Sequence, residues 1–380
     1  MKVFFLSLLF ASLLLSSPSP VLVSAIKTSP SPTVDDGPFP ADLNGSNFTY
    51  PWPVKLYRFT SQGRQLEMAF MDVPAKATPS KEPSQPSQPS NKGNNKNKKN
   101  TKTVVLLHGR NFCAATWQET ASVLSAAGYR VIIPDQIGFC KSSKPGAAYQ
   151  FSLHQLALNT RGLLETLLGG ATESSAVAVT IIGHSMGGML AARYALMYPS
   201  QTTALVLVNP IGLEDWKALG VPYQSIDDTA LAERASNYAS IRAYEQATYY
   251  PGREWTQAYD VWVRMLANIY AGSKAEAFAL TQARVVDMVL TQPVVYEFPL
   301  IKAPPRGTLL LVGLKDNTAI GKQWSLPEVQ ARLGHYDVLG KQAATAIPNC
   351  TLVEFSDLGH APQIQEPARF HGALLDWLEG

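Results

Sequence analysis

The chain has 380 residues, of which 46% are hydrophobic and 16% are charged, and its formal net charge is +3. This composition is sufficient for a large buried core and excludes a chain that is disordered throughout. Because the charge is small and scattered, it also excludes a strongly basic nucleic-acid-binding protein.

The N-terminal 25 residues are typical of a secretory signal peptide. Lys2 precedes an apolar run over residues 3–15, and Val23 and Ala25 are small residues at the two positions that a signal peptidase reads. Polar residues and prolines at 16–20 interrupt the run well before the roughly 20 apolar residues that a membrane anchor needs. The sequence therefore predicts a secreted protein with no stable membrane insertion after signal removal.

A secreted chain also directs attention to glycosylation and disulfides. Three positions fit the Asn-X-Ser/Thr acceptor pattern: Asn44, Asn47 and Asn349. The three cysteines are Cys113, Cys140 and Cys350. Three cysteines allow at most one internal disulfide and exclude a disulfide framework.

Residues 74–102 differ in composition from the rest of the chain. They consist almost entirely of Pro, Ser, Gln, Asn and Lys, with almost no apolar side chain to bury. Such a segment cannot offset its ordering entropy, and we interpret it as a disordered surface insertion.

The remaining chain alternates short β-branched runs with helix-like stretches. Residues 54–59 and 65–73 predict an antiparallel pair, and six later apolar runs, beginning near residues 103, 129, 176, 204, 307 and 351, read as buried strands. Strands that alternate with helices indicate a mostly parallel central sheet flanked by helices. The alternation breaks once, at 214–298, where a helical, aromatic-rich segment predicts an inserted cap.

The stretch VTIIGHSMGG places Ser185 between a predicted strand and a predicted helix. Gly183 and Gly187 allow the two elements to approach closely, so the serine hydroxyl would project at the carboxyl edge of the sheet. The amino terminus of the following helix would face any negative charge that develops there.

A serine nucleophile needs a base, and the base needs an orienting carboxylate. Two later predicted strands end at such groups, Asp316 and His360. Four other histidines are weaker candidates for the base because of their positions in the sequence: His154, His184, His335 and His371. The alternative acids are Glu214, Asp215 and Asp357. We predict Ser185, Asp316 and His360 as nucleophile, acid and base.

These residues resemble the α/β-hydrolase family from about Val54 to the end of the chain. The matching stretches are His108-Gly109, PDQIGFCKSSKP, GHSMGG, GLKD and GHAPQIQEP. The resemblance implies a core over 54–213 and 299–380, preceded by an N-terminal extension at 26–53 and interrupted by the cap. It also implies that the backbone N–H groups of Arg110 and Met186 form an oxyanion hole, that His108 shapes its loop, and that Asn111 contacts the substrate.

The sequence departs from the family pattern at two places. Cys140 stands where the family usually has glycine, and a disulfide between Cys113 and Cys140 would join two loops at the mouth of the site. Residues 317–348 are longer than the family's usual connection between acid and base.

Within the family, the nucleophile decides the chemistry. Members that attack with aspartate, such as epoxide hydrolases and dehalogenases, do not match Ser185. The resemblance therefore implies a serine esterase that acts on a small apolar or aromatic molecule through an acyl-enzyme, without cofactor or metal. Two alternatives are a carbon-carbon bond hydrolase of the ring-fission-product type and a non-catalytic binding protein of the same fold.

Overall fold

The computed structural model describes residues 30–39, 42–76, 102–169 and 178–380. The predicted signal peptide, residues 1–25, and most of the predicted insertion at 74–102 lie outside the described residues. Ser31–Gly380 form one compact unit.

In the described part of the chain, nine strands form one sheet in the order β1-β2-β3-β5-β4-β6-β7-β8-β9. The strands are β1 (Thr33–Asp35), β2 (Val54–Ser61), β3 (Arg64–Val73), β4 (Thr103–Leu107), β5 (Arg130–Pro134), β6 (Val179–His184), β7 (Thr202–Val208), β8 (Thr308–Gly313) and β9 (Cys350–Phe355). The β1-β2, β2-β3 and β3-β5 pairs are antiparallel, and all pairs from β5-β4 to β8-β9 are parallel.

The sheet confirms the predicted α/β class. Every residue of β4, β6 and β8 is buried, as expected for parallel strands that are covered on both faces. Because β4, β6, β7, β8 and β9 run in the same direction, the loops that follow their carboxyl ends meet at one edge. That edge is where open α/β sheets bind ligands.

Eleven α-helices occur among the described residues. They are α1 (Gln118–Ala126), α2 (Leu153–Leu168), α3 (Met186–Met197), α4 (Ile226–Arg234), α5 (Tyr238–Thr248), α6 (Gln257–Ala271), α7 (Ala275–Thr291), α8 (Pro327–Gln330), α9 (Tyr336–Ala346), α10 (Pro362–Gln365) and α11 (Pro367–Glu379). α2 packs against α3, and α1 packs against α11. None of these helices is long and apolar enough to cross a membrane.

The helices α4 to α7 occupy the chain between β7 and β8, within the segment where the sequence predicts a cap. α4 packs against α7, and α6 contacts both α5 and α7. Several of their aromatic side chains are buried. Tyr250, for example, is fully buried and stacks on Tyr259 with ring centroids 3.9 Å apart and an interplanar angle of 3°. The division of the chain into core and cap stays a prediction.

Two segments contribute structure that the sequence did not predict. Thr33–Asp35, within the N-terminal extension, add β1 to the edge of the sheet by pairing with β2. The long connection at 317–348 contains α8 and α9, and α9 packs on β8 and β9.

The turn from β6 to α3 leaves no space for side chains on its glycines. A Cβ atom on Gly183 would lie 2.0 Å from the carbonyl oxygen of Gly187, and a Cβ on Gly187 would lie 2.2 Å from the carbonyl oxygen of Leu107. Since real Cβ atoms do not approach backbone oxygens this closely, both positions require glycine. Ser185 between them has a φ of 57° and a ψ of −122°, a backbone conformation that is strained for a residue with a side chain.

This crowding predicts a large effect of Gly183→Ala on stability. The added methyl group must displace the backbone of α3, so we expect the free energy of unfolding to fall by at least about 3 kcal/mol, or the protein not to fold. Gly372→Ala is the matched control, because Gly372 lies on the exposed side of α11 and a Cβ atom there would have no neighbour within 4 Å. Alanine there should raise stability by roughly 0.5–1 kcal/mol. Thermal unfolding followed by circular dichroism measures both; equal stability of the two variants would contradict the prediction.

Candidate active site

Ser185 lies at the carboxyl end of β6, one residue before α3 begins. Its N–H donates to the carbonyl oxygen of Val208 at 3.1 Å, and its own carbonyl accepts hydrogen bonds from the N–H groups of Gly188 and Ile211. These three bonds tie the strained turn to the neighbouring strand and to the helix. The side chain is buried, and the residue is 4% exposed.

His360 and Asp316 meet at the same edge of the sheet. Nδ1 of His360 donates to Oδ2 of Asp316 at 2.6 Å, and both side chains are fully buried. A carboxylate at Nδ1 selects the imidazole tautomer whose Nε2 can accept a proton. That Nε2 is buried and makes no hydrogen bond to any described residue.

The Asp316 carboxylate is held by two further donors. The side-chain amide of Asn209 donates to Oδ2 at 2.9 Å, and the N–H of Thr318 donates to Oδ1 at 2.8 Å. Asn209 follows β7 directly, and its own Oδ1 accepts from the N–H of Gly313 at the end of β8. Asn209 was not predicted from the sequence, although a polar residue at the end of an apolar strand was a signal for it.

The loop after β4 passes directly over the serine. A Cβ atom on Gly109 would lie 2.9 Å from Cβ of Ser185. This contact places the backbone of the next residue, Arg110, beside the nucleophile position, and Met186 begins α3 immediately after it. The two residues predicted to form an oxyanion hole therefore flank Ser185 on different segments.

Two buried histidines, His108 and His184, form hydrogen bonds that support this loop and the backbone of His360. Nε2 of His108 accepts the N–H of Gln136 at 3.0 Å, and Nε2 of His184 donates to the carbonyl oxygen of His360 at 2.8 Å. Burial lowers the pKa of His108, and it lowers the pKa of His184 well below its usual range. Both rings are therefore neutral near pH 7 and act as structural supports.

The side chain of Arg110 joins the loop to the helices above it. It forms an ion pair with Glu233 at the end of α4, and the hydroxyl of Tyr270 on α6 donates to the same carboxylate. Burial by itself would lower the pKa of Arg110, but the Glu233 charge and nearby tyrosines raise it overall. The guanidinium stays charged, and it attaches the predicted oxyanion loop to the predicted cap.

A cavity of about 400 Å³ lies next to this loop. Its wall contains residues of the loop, of α4 to α7 and of the 317–348 connection. They are Arg110, Asn111, Gln224, Thr229, Ala232, Glu233, Ser236, Ser240, Ile241, Tyr244, Leu266, Tyr270, Val286, Ala319, Ile320, Gln323 and Trp324. Ser185 and His360 do not line it. Asn111, the predicted substrate contact, does, and its side-chain amide donates to the hydroxyl of Tyr249 at 2.9 Å.

Comparison with known proteins identifies the fold family. A profile of the alpha/beta hydrolase fold matches residues 102–249. The crystal structure of a probable hydrolytic enzyme from Pseudomonas aeruginosa PAO1 is 52% identical in sequence, with a TM-score of 0.78, and the match covers 88% of this chain and 98% of that one. The chain belongs to the α/β-hydrolase fold family. The predicted fold class and family resemblance are confirmed.

Two of the curated relatives are named as hydrolytic enzymes. Lipase 1 of Psychrobacter immobilis is 26% identical over 272 residues, which covers 69% of this chain and 72% of the lipase. A 2-hydroxy-6-oxo-6-phenylhexa-2,4-dienoate hydrolase of Burkholderia cepacia is 35% identical over 115 residues, which covers 30% of this chain and 37% of that enzyme. These similarities support a hydrolase and leave the substrate open.

The structure places the alternative acids away from His360. Asp215 is partly buried and accepts hydrogen bonds from the N–H groups of Lys217 and Ala218. Glu214 accepts hydrogen bonds from the indole N–H of Trp216 and from the N–H of Gly334. Asp357 pairs with Arg253 and Arg369. Among the candidate acids, only Asp316 contacts His360.

The alternative histidines likewise lie away from Ser185 and Asp316 or form hydrogen bonds with other residues. Nε2 of His371 lies 3.0 Å from the hydroxyl of Thr120, and burial lowers the pKa of this histidine to about 4. Nε2 of His335 donates to the carbonyl oxygen of Ala331, one turn before it. His154 lies in the first turn of α2. None of these rings shares a hydrogen bond with Ser185 or Asp316.

Cys113 and Cys140 form the disulfide that the sequence left open. Cys140 has a φ of 40°, so it occupies the left-handed region that suits the family's glycine. Asp135 lies beside the bridge and accepts hydrogen bonds from the N–H groups of Ala114 and Lys141. The three residues Cys113, Asp135 and Cys140 are close enough to hold a metal ion, but sulfurs joined in a disulfide are not thiolate ligands.

Proposed function

We propose that this chain is a serine hydrolase that cleaves an ester bond of a small apolar or aromatic substrate through an acyl-enzyme intermediate. The observation that carries the proposal is the His360-Asp316 hydrogen bond, which leaves a buried, unpartnered Nε2 at the sheet edge where Ser185 lies. The similarity to a lipase and to other hydrolases supports the reaction class.

In the first half-reaction, Oγ of Ser185 attacks the ester carbonyl carbon while Nε2 of His360 accepts its proton. The N–H groups of Arg110 and Met186 hold the oxyanion of the tetrahedral intermediate. Asp316 stays ionised and stabilises the imidazolium. When the intermediate collapses, the carbon-oxygen bond to the alcohol breaks, and His360 returns the proton to the leaving alkoxide.

In the second half-reaction, His360 takes a proton from water as the water oxygen attacks the acyl-enzyme. Collapse of this second intermediate releases the carboxylic acid and restores the Ser185 hydroxyl. The cavity beside Asn111 has a size within the usual range for small-molecule pockets and would hold part of the substrate. Its wall combines Ile241, Leu266 and Val286 with hydroxyl and amide groups.

The first test is Ser185→Ala, assayed on esters of graded chain length. Removal of the nucleophile should reduce turnover by several powers of ten and abolish labelling by a fluorophosphonate, with the fold unchanged. Labelling and circular dichroism are measured on the same purified protein. A variant that hydrolyses esters at a substantial fraction of the wild-type rate would refute the nucleophile assignment.

The same assay addresses the alternative supported by the Burkholderia hydrolase. A panel that includes a vinylogous diketone acid tests for carbon-carbon bond cleavage beside ester cleavage. Turnover of that compound alone, with Ser185 still required, would replace the ester proposal with the ring-fission type. A wild-type protein that neither turns over substrate nor reacts with the fluorophosphonate would favour the non-catalytic alternative.

The second test compares Asp316→Asn with Asp215→Asn. Asparagine at 316 favours the wrong imidazole tautomer and cannot stabilise the imidazolium, so turnover should fall by up to about 10⁴-fold. Asparagine at 215 should change turnover little, because this side chain contacts backbone N–H groups and Tyr296 and does not contact His360. Burst amplitude on an activated ester reports whether Ser185 still reacts. If Asp215→Asn loses its activity while Asp316→Asn retains it, the acid is wrongly assigned.

We also propose that the protein is secreted. The N-terminal sequence supports an exported chain, and the Cys113-Cys140 disulfide fits an oxidising compartment. Asn47 and Asn349 are exposed, whereas the side-chain amide of Asn44 donates to the carbonyl oxygen of Lys141 at 2.6 Å.

Secretion predicts a mature chain that begins at Ile26 and, in a eukaryotic host, carries glycans on Asn47 and Asn349. N-terminal sequencing and the mass change on endoglycosidase treatment measure these two features. Recovery of the chain from the cytosol with Met1 or Lys2 at its N-terminus would contradict the proposal.

A further inference from the structure

Tyr249 is the residue through which the predicted cap reaches the base. It follows α5 directly, its N–H donates to the carbonyl oxygen of Glu245 at 2.7 Å, and Pro251 prevents the helix from continuing. The residue is 3% exposed, so its ring lies in the interior of the protein.

The ring of Tyr249 stacks on the imidazole of His360. The ring centroids are 4.6 Å apart and the interplanar angle is 28°. The backbone adds a second contact, because the N–H of His360 donates to the carbonyl oxygen of Tyr249 at 3.0 Å. The ring of His184 also contacts the imidazole, with centroids 4.9 Å apart. These contacts restrict rotation of the His360 ring while leaving its Nε2 without a partner.

Tyr249 also contacts the loop that carries the predicted oxyanion hole. Its hydroxyl accepts the side-chain N–H of Asn111, and its ring stacks on Phe112 with centroids 5.7 Å apart. One side chain therefore touches both the base and the segment that follows Arg110.

We propose that Tyr249 is a positioning residue for the proposed serine hydrolase reaction, whose ring orients His360 and stabilises the imidazolium that forms when Ser185 is deprotonated. The proposal rests on the function proposed above. A cation that lies within about 6 Å of the centroid of an aromatic ring is attracted to the face of that ring, whereas a neutral imidazole is attracted much less. The stack therefore stabilises the transition state more than the resting enzyme, which is the condition for faster turnover.

The hydroxyl of Tyr249 is itself not a proton donor in the working pH range. Burial raises the pKa of Tyr249 well above its usual range, so the ring stays neutral. Burial likewise raises the pKa of the Glu245 carboxyl, on the preceding helix, well above its usual range.

The other titratable and charged groups around the His360-Asp316 pair come from four segments: the loop after β4, β6, α5 and α9. They are Arg110, His184, Tyr244, Glu245 and Tyr336. Every one of them is retained in the Tyr249 variants described next. A change in the pH profile of such a variant is therefore attributed to the ring.

The experiment measures kcat/KM of the full chain on an activated ester between pH 4 and pH 9. Tyr249→Leu removes the aromatic face, so kcat/KM should fall on the order of tenfold. Loss of imidazolium stabilisation makes His360 harder to protonate, and the acid limb of the profile should therefore move to lower pH by roughly half a unit to one unit.

Two matched variants separate the ring from other causes. Tyr249→Phe keeps the stack and loses the hydroxyl with its hydrogen bonds to Asn111 and Tyr244, so its acid limb should coincide with that of the wild type. Tyr250→Leu removes the neighbouring buried tyrosine, which stacks on Tyr259, meets the Tyr249 ring edge-on with centroids 6.3 Å apart, and forms no ring contact with His360. It should lower the melting temperature without moving the acid limb. If Tyr249→Leu does not fold, Tyr249→Met fills a similar volume without an aromatic face.

An acid limb that stays in place in folded Tyr249→Leu or Tyr249→Met, with fluorophosphonate labelling intact, overturns the role of Tyr249 and leaves the serine hydrolase proposal standing. An equal shift in Tyr250→Leu overturns it too, since the effect would then be a general loss of packing. Failure of the wild type to hydrolyse esters or to react with the fluorophosphonate identifies instead a failure of the proposed function.

Discussion

The close contact between β6 and α3 is the constraint on which the rest of the site depends. With no side chain at Gly183 or Gly187, the strand turns directly into the helix, and Ser185 is forced into a strained conformation at the sheet edge. Parallel register then brings the residues after β7, β8 and β9 to the same edge, so Asn209, Asp316 and His360 connect in one hydrogen-bonded chain.

Much of this arrangement is readable from the sequence, because it depends on local patterns. Each core strand is a short apolar run, and Ser185, Asp316 and His360 each follow one. The pairing of His360 with Asp316, in preference to Asp215, was also predictable, since both residues lie in loops after adjacent parallel strands. The general rule that strand ends carry the chemistry was enough to select them.

The features that were not predicted depend on contacts between distant segments. Nothing in the local sequence of Tyr249 distinguishes it from Tyr250, yet one stacks on the base and the other on Tyr259. The position of residues 319–324 in the cavity wall similarly depends on how the connection after Asp316 folds toward α4 and α5. Side-chain direction in irregular segments follows from tertiary packing, which periodicity does not encode.

The Arg110-Glu233 pair, shielded from water by the helices around it, determines how firmly the loop after β4 is attached to α4. If α4 moves away from the loop, the guanidinium and the carboxylate separate, but each recovers the hydration that it gave up on burial. Charged groups buried together therefore hold two segments less firmly than an equal area of hydrocarbon would, since water compensates the ions on separation and penalises exposed hydrocarbon. Separation of this charged pair, which joins the loop to the predicted cap, therefore exposes no hydrocarbon by itself.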